Sequence, residues 1–203
     1  MGVTMKSFWD KLPVPFVALA PMDGITDPVF RQIVTQCGKP DVLFTEFVSA
    51  DGLVSAGRER LMQHLMFKNN EHPIVGQLFG NNPDHFYQAA KLVQSLGFDG
   101  VDINMGCPDN NVVKRGGGAG LIKTPDIAQA VIRAVKKGAK GLPVSVKTRI
   151  GYDTEQVSDW IPFLLSQNIA ALSVHLRTFR QMYRGPAQWG HMKTIMEMRD
   201  AAG

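Results

Sequence analysis

Gly100-Val101-Asp102-Ile103-Asn104-Met105-Gly106-Cys107-Pro108 is the stretch on which the reading of this chain turns, and the glycine run Gly116-Gly117-Gly118-Ala119-Gly120 follows it. Its first four residues read as a buried strand. A cysteine at the end of such a strand, beside a helix-breaking proline and a glycine loop, is placed for a pocket mouth. Spacing alone leaves Cys107 equally readable as a small buried apolar residue, as free cysteines often are. Its microenvironment decides between the two.

Outward from this strand, similar apolar runs recur at Phe16–Ala20, Val42–Phe47, Pro73–Phe79, Pro143–Thr148 and Ala170–Leu176. With Gly100–Met105 included, their starts lie 26, 31, 27, 43 and 27 residues apart. That is the βα period of a parallel sheet, whose strands are continuously apolar because helices cover both faces. The helices between them carry their own start signals. Asp27-Pro28, Asn82-Pro83 and Thr124-Pro125 each place a capping side chain before a proline suited to the first helical position. Gly97 and Gly138 end the second and third of these helices. Another helix is expected from Thr154 to Gln167, shortened or kinked at Pro162, and a sixth from about Trp189 to Arg199.

Six βα units fit a doubly wound sheet or a (β/α)8 TIM barrel. Polar residues stand at nearly every strand's C-terminal end: Met22-Asp23, Glu46, Gln77, Asn104, Lys147 with Arg149, and His175 with Arg177. In barrels that rim is the active-site face. A dinucleotide fold would want GxGxxG after its first strand, and Ala20-Pro21-Met22-Asp23-Gly24 is not that. The expectation is therefore one partial barrel over residues 1–203, with two βα units missing, since a complete barrel takes about 250 residues.

Composition narrows the function classes. At 203 residues with 44% hydrophobic content the chain can bury a real core. No run reaches the ~18 apolar residues of a membrane span, and Met1–Asp10 lacks the apolar region of a secretory signal. Cys37 and Cys107 show no metal-ligand or disulfide spacing, so no metal is expected and a reducing, cytoplasmic setting is the simplest inference. Cys37 is expected in the core. Net charge is only +4, but Cys107–Ile150 holds nine Lys/Arg against two acids, +7, which leaves −3 for the rest. Such a segment suits a polyanion. Arg133, Lys136, Lys137 and Lys140 are accounted for by a helix C-terminus, where cations meet the dipole favourably. Lys114, Arg115, Lys147 and Arg149 lie near strand ends and are read as functional.

The rim motifs resemble those of the tRNA-dihydrouridine synthases. They are Ala20-Pro21-Met22-Asp23-Gly24-Ile25-Thr26-Asp27, Asn104-Met105-Gly106-Cys107-Pro108, Val146-Lys147-Thr148-Arg149 and Val174-His175-Leu176-Arg177-Thr178. Gln181-Met182-Tyr183-Arg184-Gly185-Pro186-Ala187 is similar to the family's sixth loop. The resemblance covers roughly Phe16 to Trp189. It implies FMN-mediated, NADPH-dependent reduction of uridine in tRNA to 5,6-dihydrouridine.

By the same resemblance Cys107 is the proton donor. A thiol suits this because its ordinary pKa of ~8.5 leaves it protonated at neutral pH yet able to give the proton up. Nearby cations would oppose that state, so Cys107 is expected to be kept from them or recharged through water. Pro21, Met22 and Asp23 are implied to border the flavin, Gln77 to meet its pyrimidine edge, and Lys147 to stabilise its anionic reduced form. His175 is implied as a second flavin ligand. Asn104 and Arg177 are assigned to the substrate, and Lys114, Arg115 and Arg149 to RNA. Leu176 departs from the family's glycine and is expected to crowd the flavin edge. The family's phosphate loops and its helical tRNA-gripping domain have no counterpart in these residues. Two other readings stay open: a flavin barrel acting on a free pyrimidine, resembling the dihydroorotate dehydrogenases, and a non-catalytic remnant. A yellow or colourless purified protein separates an oxidoreductase from a remnant.

Overall fold

The computed structural model describes residues 7–202. Strands β1 (Ala18–Leu19), β2 (Val42–Ser49), β3 (Ile74–Phe79), β4 (Gly100–Met105), β5 (Val144–Arg149) and β6 (Ala171–His175) form one parallel sheet in sequential order. Sequential order is barrel topology; a doubly wound sheet would reverse at a switch point. β1 and β6 are the two edges. The architecture is the expected incomplete (β/α)8 barrel, a curled half-barrel of six βα units.

The helices begin where local chemistry prescribes. Helix α1 (Pro28–Gly38) is capped by Asp27, whose carboxylate accepts from the Phe30 amide at 2.7 Å. After the short helices α2 (Ala50–Leu53) and α3 (Arg58–Met62), α4 (Pro83–Ser95) is capped by Asn82, which accepts from Asp84 N at 2.9 Å. Asp109 caps α5 (Asn110–Lys114), a single turn that no periodicity announces. Helix α6 (Pro125–Gly138) starts at its proline without a side-chain bond from Thr124; the fixed proline φ supplies the start. Helix α7 (Val157–Leu165) keeps Pro162 inside it but begins three residues later than expected. Gln156 N donates to Ile150 O, and the Gln156 side chain accepts from Tyr152 N, so residues 151–156 fold back as a turn. Helix α8 (His191–Ala202) closes the sixth unit.

The core lies between the sheet and the helices. Ile74, Leu78, Val101, Ile103 and Val146 pack against Phe86, Val93, Val131, Ile132 and Val135, all at most 1% exposed. The opposite strand faces carry the residues of the barrel interior. The β6 edge is less complete. Its strand residues are half-buried or exposed, and an apolar groove of about 290 Å³ runs along Ile169, Leu172, Val174, Met192 and Ile195. Cys37, expected in the core, is exposed near the end of α1, a helix that buries only Arg31. No helix among the described residues is long and apolar enough to cross a membrane.

Candidate active site

Strand pairing aligns the interior side chains in rows. Gln77 pairs with Asp102 and Asp102 with Ser145; one layer nearer the rim Asn104 pairs with Lys147; at the rim Arg149 pairs with His175. Side chains alternate with period two along each strand, so Asp102 and Asn104 share a face, as do Ser145, Lys147 and Arg149.

The lower rows are tightly bonded. Gln77 Nε2 donates to Asp102 Oδ2 at 2.6 Å, and Asn104 Nδ2 donates to Gln77 Oε1 at 2.9 Å. Ser145 Oγ donates to Asp102 Oδ1 at 2.5 Å. Burial pushes the Asp102 carboxyl up to about 6, against the pull of Ser145, Gln77 and Lys147. Gln77, expected at the cofactor's pyrimidine edge, is fully buried, with both ends of its amide bonded to protein.

Lys147 is half-buried and makes no hydrogen bond or ion pair with the described residues. Burial lowers its pKa, partly offset by the nearby Asp102 charge. An enclosed ammonium without a partner is costly. A ligand with delocalised negative charge would relieve that cost.

Cys107 sits half-buried just past β4. Its amide donates to Asn104 Oδ1 at 2.8 Å, and its carbonyl accepts from Ala119 N at 3.0 Å. The glycine run makes that second contact possible. Gly118 has φ +55°, and a Cβ there would lie 2.8 Å from Cys107 O. Burial raises the thiol pKa above its ordinary value. A bond from the Asp109 backbone and the charge of Arg149 oppose this; Asp109 and Asp23 reinforce it. Arg149 is thus close enough to be felt, and burial outweighs it, so the group is a thiol at neutral pH.

Arg149, expected as an RNA contact, has its guanidinium engaged by the protein's own main chain. It is 1% exposed, and its guanidinium donates to Gly106 O at 2.8 Å, Thr178 O at 3.0 Å and Met182 O at 2.8 Å. It ties the cysteine loop to the loop after β6. Unpaired carbonyls buried at strand ends need a donor, and arginine brings several in one plane. Arg177 Nη1 lies 3.0 Å from His175 Nε2, and its other nitrogens donate to Gly185 O. A guanidinium only donates, so Nε2 accepts and the neutral ring carries its proton on Nδ1. Burial, then the charges of Arg149, Lys147 and Arg177, push His175 down to about 4. Leu176, expected to crowd the site, is buried in the core instead.

The first rim loop is held by residues that motif reading did not assign. Met22 exchanges hydrogen bonds with Thr26, in both directions through the hydroxyl. Glu46 Oε1 accepts from Gly24 N at 2.6 Å while its Oε2 lies 2.8 Å from His64 Nδ1. Pro21 and Met22 are half-buried and Asp23 is exposed. Beside them a cavity of about 400 Å³ is lined by Asp23, Phe47, Ser49, His64, Phe79 and Asp109. Asp102 and Ser145 were also missed, although their parity with Asn104 and Lys147 was the signal that could have found them. Lys114 and Arg115 are exposed on and after α5, apart from the buried rows. Lys136 reaches the carbonyls of Gln167 and Asn168, and Lys137 lies over the Tyr87 ring, so these helix-end cations have local partners. No metal-holding group of His, Cys, Asp and Glu occurs among the described residues.

With this geometry in view, similarity to other proteins is informative. A "probable tRNA-dihydrouridine synthase" of Staphylococcus aureus strain Mu50 is 43% identical over 197 residues, which cover 96% of this chain and 60% of that protein. A "probable tRNA-dihydrouridine synthase 2" of Bacillus subtilis strain 168 is 44% identical over the same shares. The chain thus spans about 60% of the length of these curated relatives. The solved structure of a variant of NCR from Zymomonas mobilis matches with a TM-score of 0.55 at 17% identity, covering 94% of this chain and 77% of that one. That likeness concerns the fold alone. The model of the dihydrouridine synthase (Dus) family matches residues 18–200, and the chain belongs to that family.

Proposed function

We propose that this chain forms the catalytic half-barrel of an enzyme that reduces uridine in tRNA to 5,6-dihydrouridine, with FMN as resident flavin and NADPH as reductant. The observation that carries the reading is the placement of a half-buried cysteine, Cys107, just past β4 beside Lys147 on β5, a half-buried amine with no hydrogen-bond partner among the described residues. Bound FMN would supply the hydride that the uracil C6 accepts. The chain's part is the proton. Cys107 gives its thiol hydrogen to C5, so one hydride and one proton saturate the C5–C6 double bond, and the half-exposed sulfur regains a proton from solvent.

Lys147 would hold the flavin's anionic edge, and the backbone of Pro21, Met22 and Asp23 would border the ring. His175, neutral above about pH 4, offers its Nδ1–H without adding charge. Asn104 and Arg177 would face the substrate uracil or its phosphate. Gln77, its amide oriented by Asp102 and Asn104, would lie toward the flavin's pyrimidine edge. Lys114 and Arg115, exposed on and after α5, would meet tRNA phosphates. In the whole protein, two further βα units and a helical domain would complete the barrel and grip the tRNA, and a tRNA substrate fits a cytoplasmic setting.

The test uses the full-length protein. Cys107→Ala should leave flavin reduction by NADPH intact and slow dihydrouridine formation at least ~100-fold, the usual scale for a lost general acid. Dihydrouridine formation at the normal rate would overturn the assignment.

A further inference from the structure

Asp102 is the one fully buried acid facing the barrel interior among the described residues, and the proposed chemistry does not use it. It lies one layer below Asn104 and begins a chain of hydrogen bonds that ends at the cysteine loop. Its Oδ2 accepts from Gln77 Nε2, Gln77 Oε1 accepts from Asn104 Nδ2, and Asn104 Oδ1 accepts from the amides of Gly106 at 3.1 Å and Cys107 at 2.8 Å. Ser145 Oγ holds the other carboxylate oxygen from β5. Every side chain in the chain is at most 6% exposed.

The direction of this chain is forced. A carboxylate can only accept, and a backbone N–H can only donate. Each amide between them has one donor end and one acceptor end. Turning over Gln77 would set its oxygen against the carboxylate; turning over Asn104 would set its amide nitrogen against two N–H groups. Only one arrangement satisfies all the buried atoms, and an unsatisfied one is expensive there. Although its pKa is pushed up to about 6, the carboxyl is still ionised at pH 7.5, so the acceptor-only state is in force.

We infer that Asp102 is a positioning residue for the cysteine loop, acting through Gln77 and Asn104 to fix the main chain at Gly106 and Cys107. The inference deepens the proposed role of Cys107, resting on it for meaning but not for its test. Hydrogen exchange of the Gly106 and Cys107 amides reads the loop without turnover, in the intact protein with no cofactor added. A failure here is therefore distinct from a failure of Cys107 as proton donor.

Asp102→Leu keeps volume and removes the acceptor. Exchange at Gly106 and Cys107 should quicken about tenfold or more at pH 7.5, while the core amides of Ile103 and Val146 stay protected. Asp102→Asn retains an acceptor oxygen for Gln77 and can donate to Ser145, so it should return both amides to within about threefold of wild type. Uniform quickening, no quickening at Gly106 and Cys107, or equal damage from Asn and Leu would each overturn the inference. If Asp102→Leu does not fold, Gln77→Leu cuts the same chain one bond nearer to Asn104. It must then quicken the same two amides, and unchanged exchange would overturn the inference.

Discussion

The middle of the sheet and its β6 edge are made from similar apolar strands, yet they are finished differently. From β3 to β5 the outer face is sealed by α4 and α6, and the inner face carries Gln77, Asp102, Asn104 and Arg149 with their polar atoms bonded. At β6 the strand is half-buried or exposed and an apolar groove lies open beside α8. The difference shows where polar chemistry can be afforded. Buried polar side chains are tolerable where neighbouring strands on both sides supply partners, and Asp102 has Gln77 on β3 and Ser145 on β5. His175 on the edge strand has a neighbouring strand on one side only, and its ring is held by Arg177 two residues along its own chain.

The strongest way to break this comparison is through Arg149, which joins the two regions. Arg149→Met would leave the carbonyls of Gly106, Thr178 and Met182 without their donor. Charged hydrogen bonds count for ~1.5–3 kcal/mol and a buried carbonyl such as that of Thr178 left without a donor for ~1–3 kcal/mol, so a loss on the order of 3 kcal/mol is expected in a denaturant titration. A loss under ~0.5 kcal/mol would mean that the clamp is dispensable and the two regions are not tied by it.

A subtler contrast lies in pH. The folded-state pKa of Asp102, about 6, is above its ordinary 3.8. Between those values the native state holds a proton that the unfolded chain has lost, so this group's contribution to stability falls as pH rises from about 4 to 6. His175 has the opposite sign. Its folded-state pKa, about 4, is below 6.5, so the unfolded chain binds the proton first and stability falls as pH drops from 6.5 towards 4. Asp102→Asn should therefore steepen the loss of stability on acidification through this window, and His175→Asn should make it shallower. Melting temperatures measured at half-unit pH steps decide the signs. Parallel curves for the two variants would refute the contrast between middle and edge.

The smallest effect on stability belongs to the exposed cations. Lys114→Ala/Arg115→Ala should leave the melting temperature where it is. In the full-length protein it should reduce the magnitude of the log–log salt slope of tRNA affinity by about 1.4 to 1.8, or 0.7–0.9 per phosphate contact. An unchanged slope would take both residues off the RNA path and leave the functional contrast with Arg149 without content.

Much of the barrel was legible because its signals are local. Apolar runs at βα spacing marked all six strands, although β1 shortened to Ala18–Leu19 at the sheet edge. Asp27 and Asn82 capped the helices that they preceded, since a cap needs only its own chain. Residues 50–71 were not legible: short turns without periodicity carry no such signal, and their place depends on long-range bonds. The buried Arg31–Glu71 pair, at 2.6 Å, anchors this segment to α1 across 40 positions. In the site, the identities of Cys107, Lys147 and His175 could be picked out from motif and strand end. Their states could not, because burial and neighbouring charge set each of them.

The amino-acid sequence by itself determined the order of strands, the side on which polar residues gather, and the family resemblance, since each is written in spacing and residue type. Only the tertiary structure decided which cations are free. Lys147 and Arg149 stand two apart on the same strand face, and nothing in Val-Lys-Thr-Arg separates them. Folding brings the carbonyls of Gly106, Thr178 and Met182 to one and gives the other no hydrogen-bond partner among the described residues. Free charge depends on which partners the distant chain delivers, and that is a property of packing rather than of residue order.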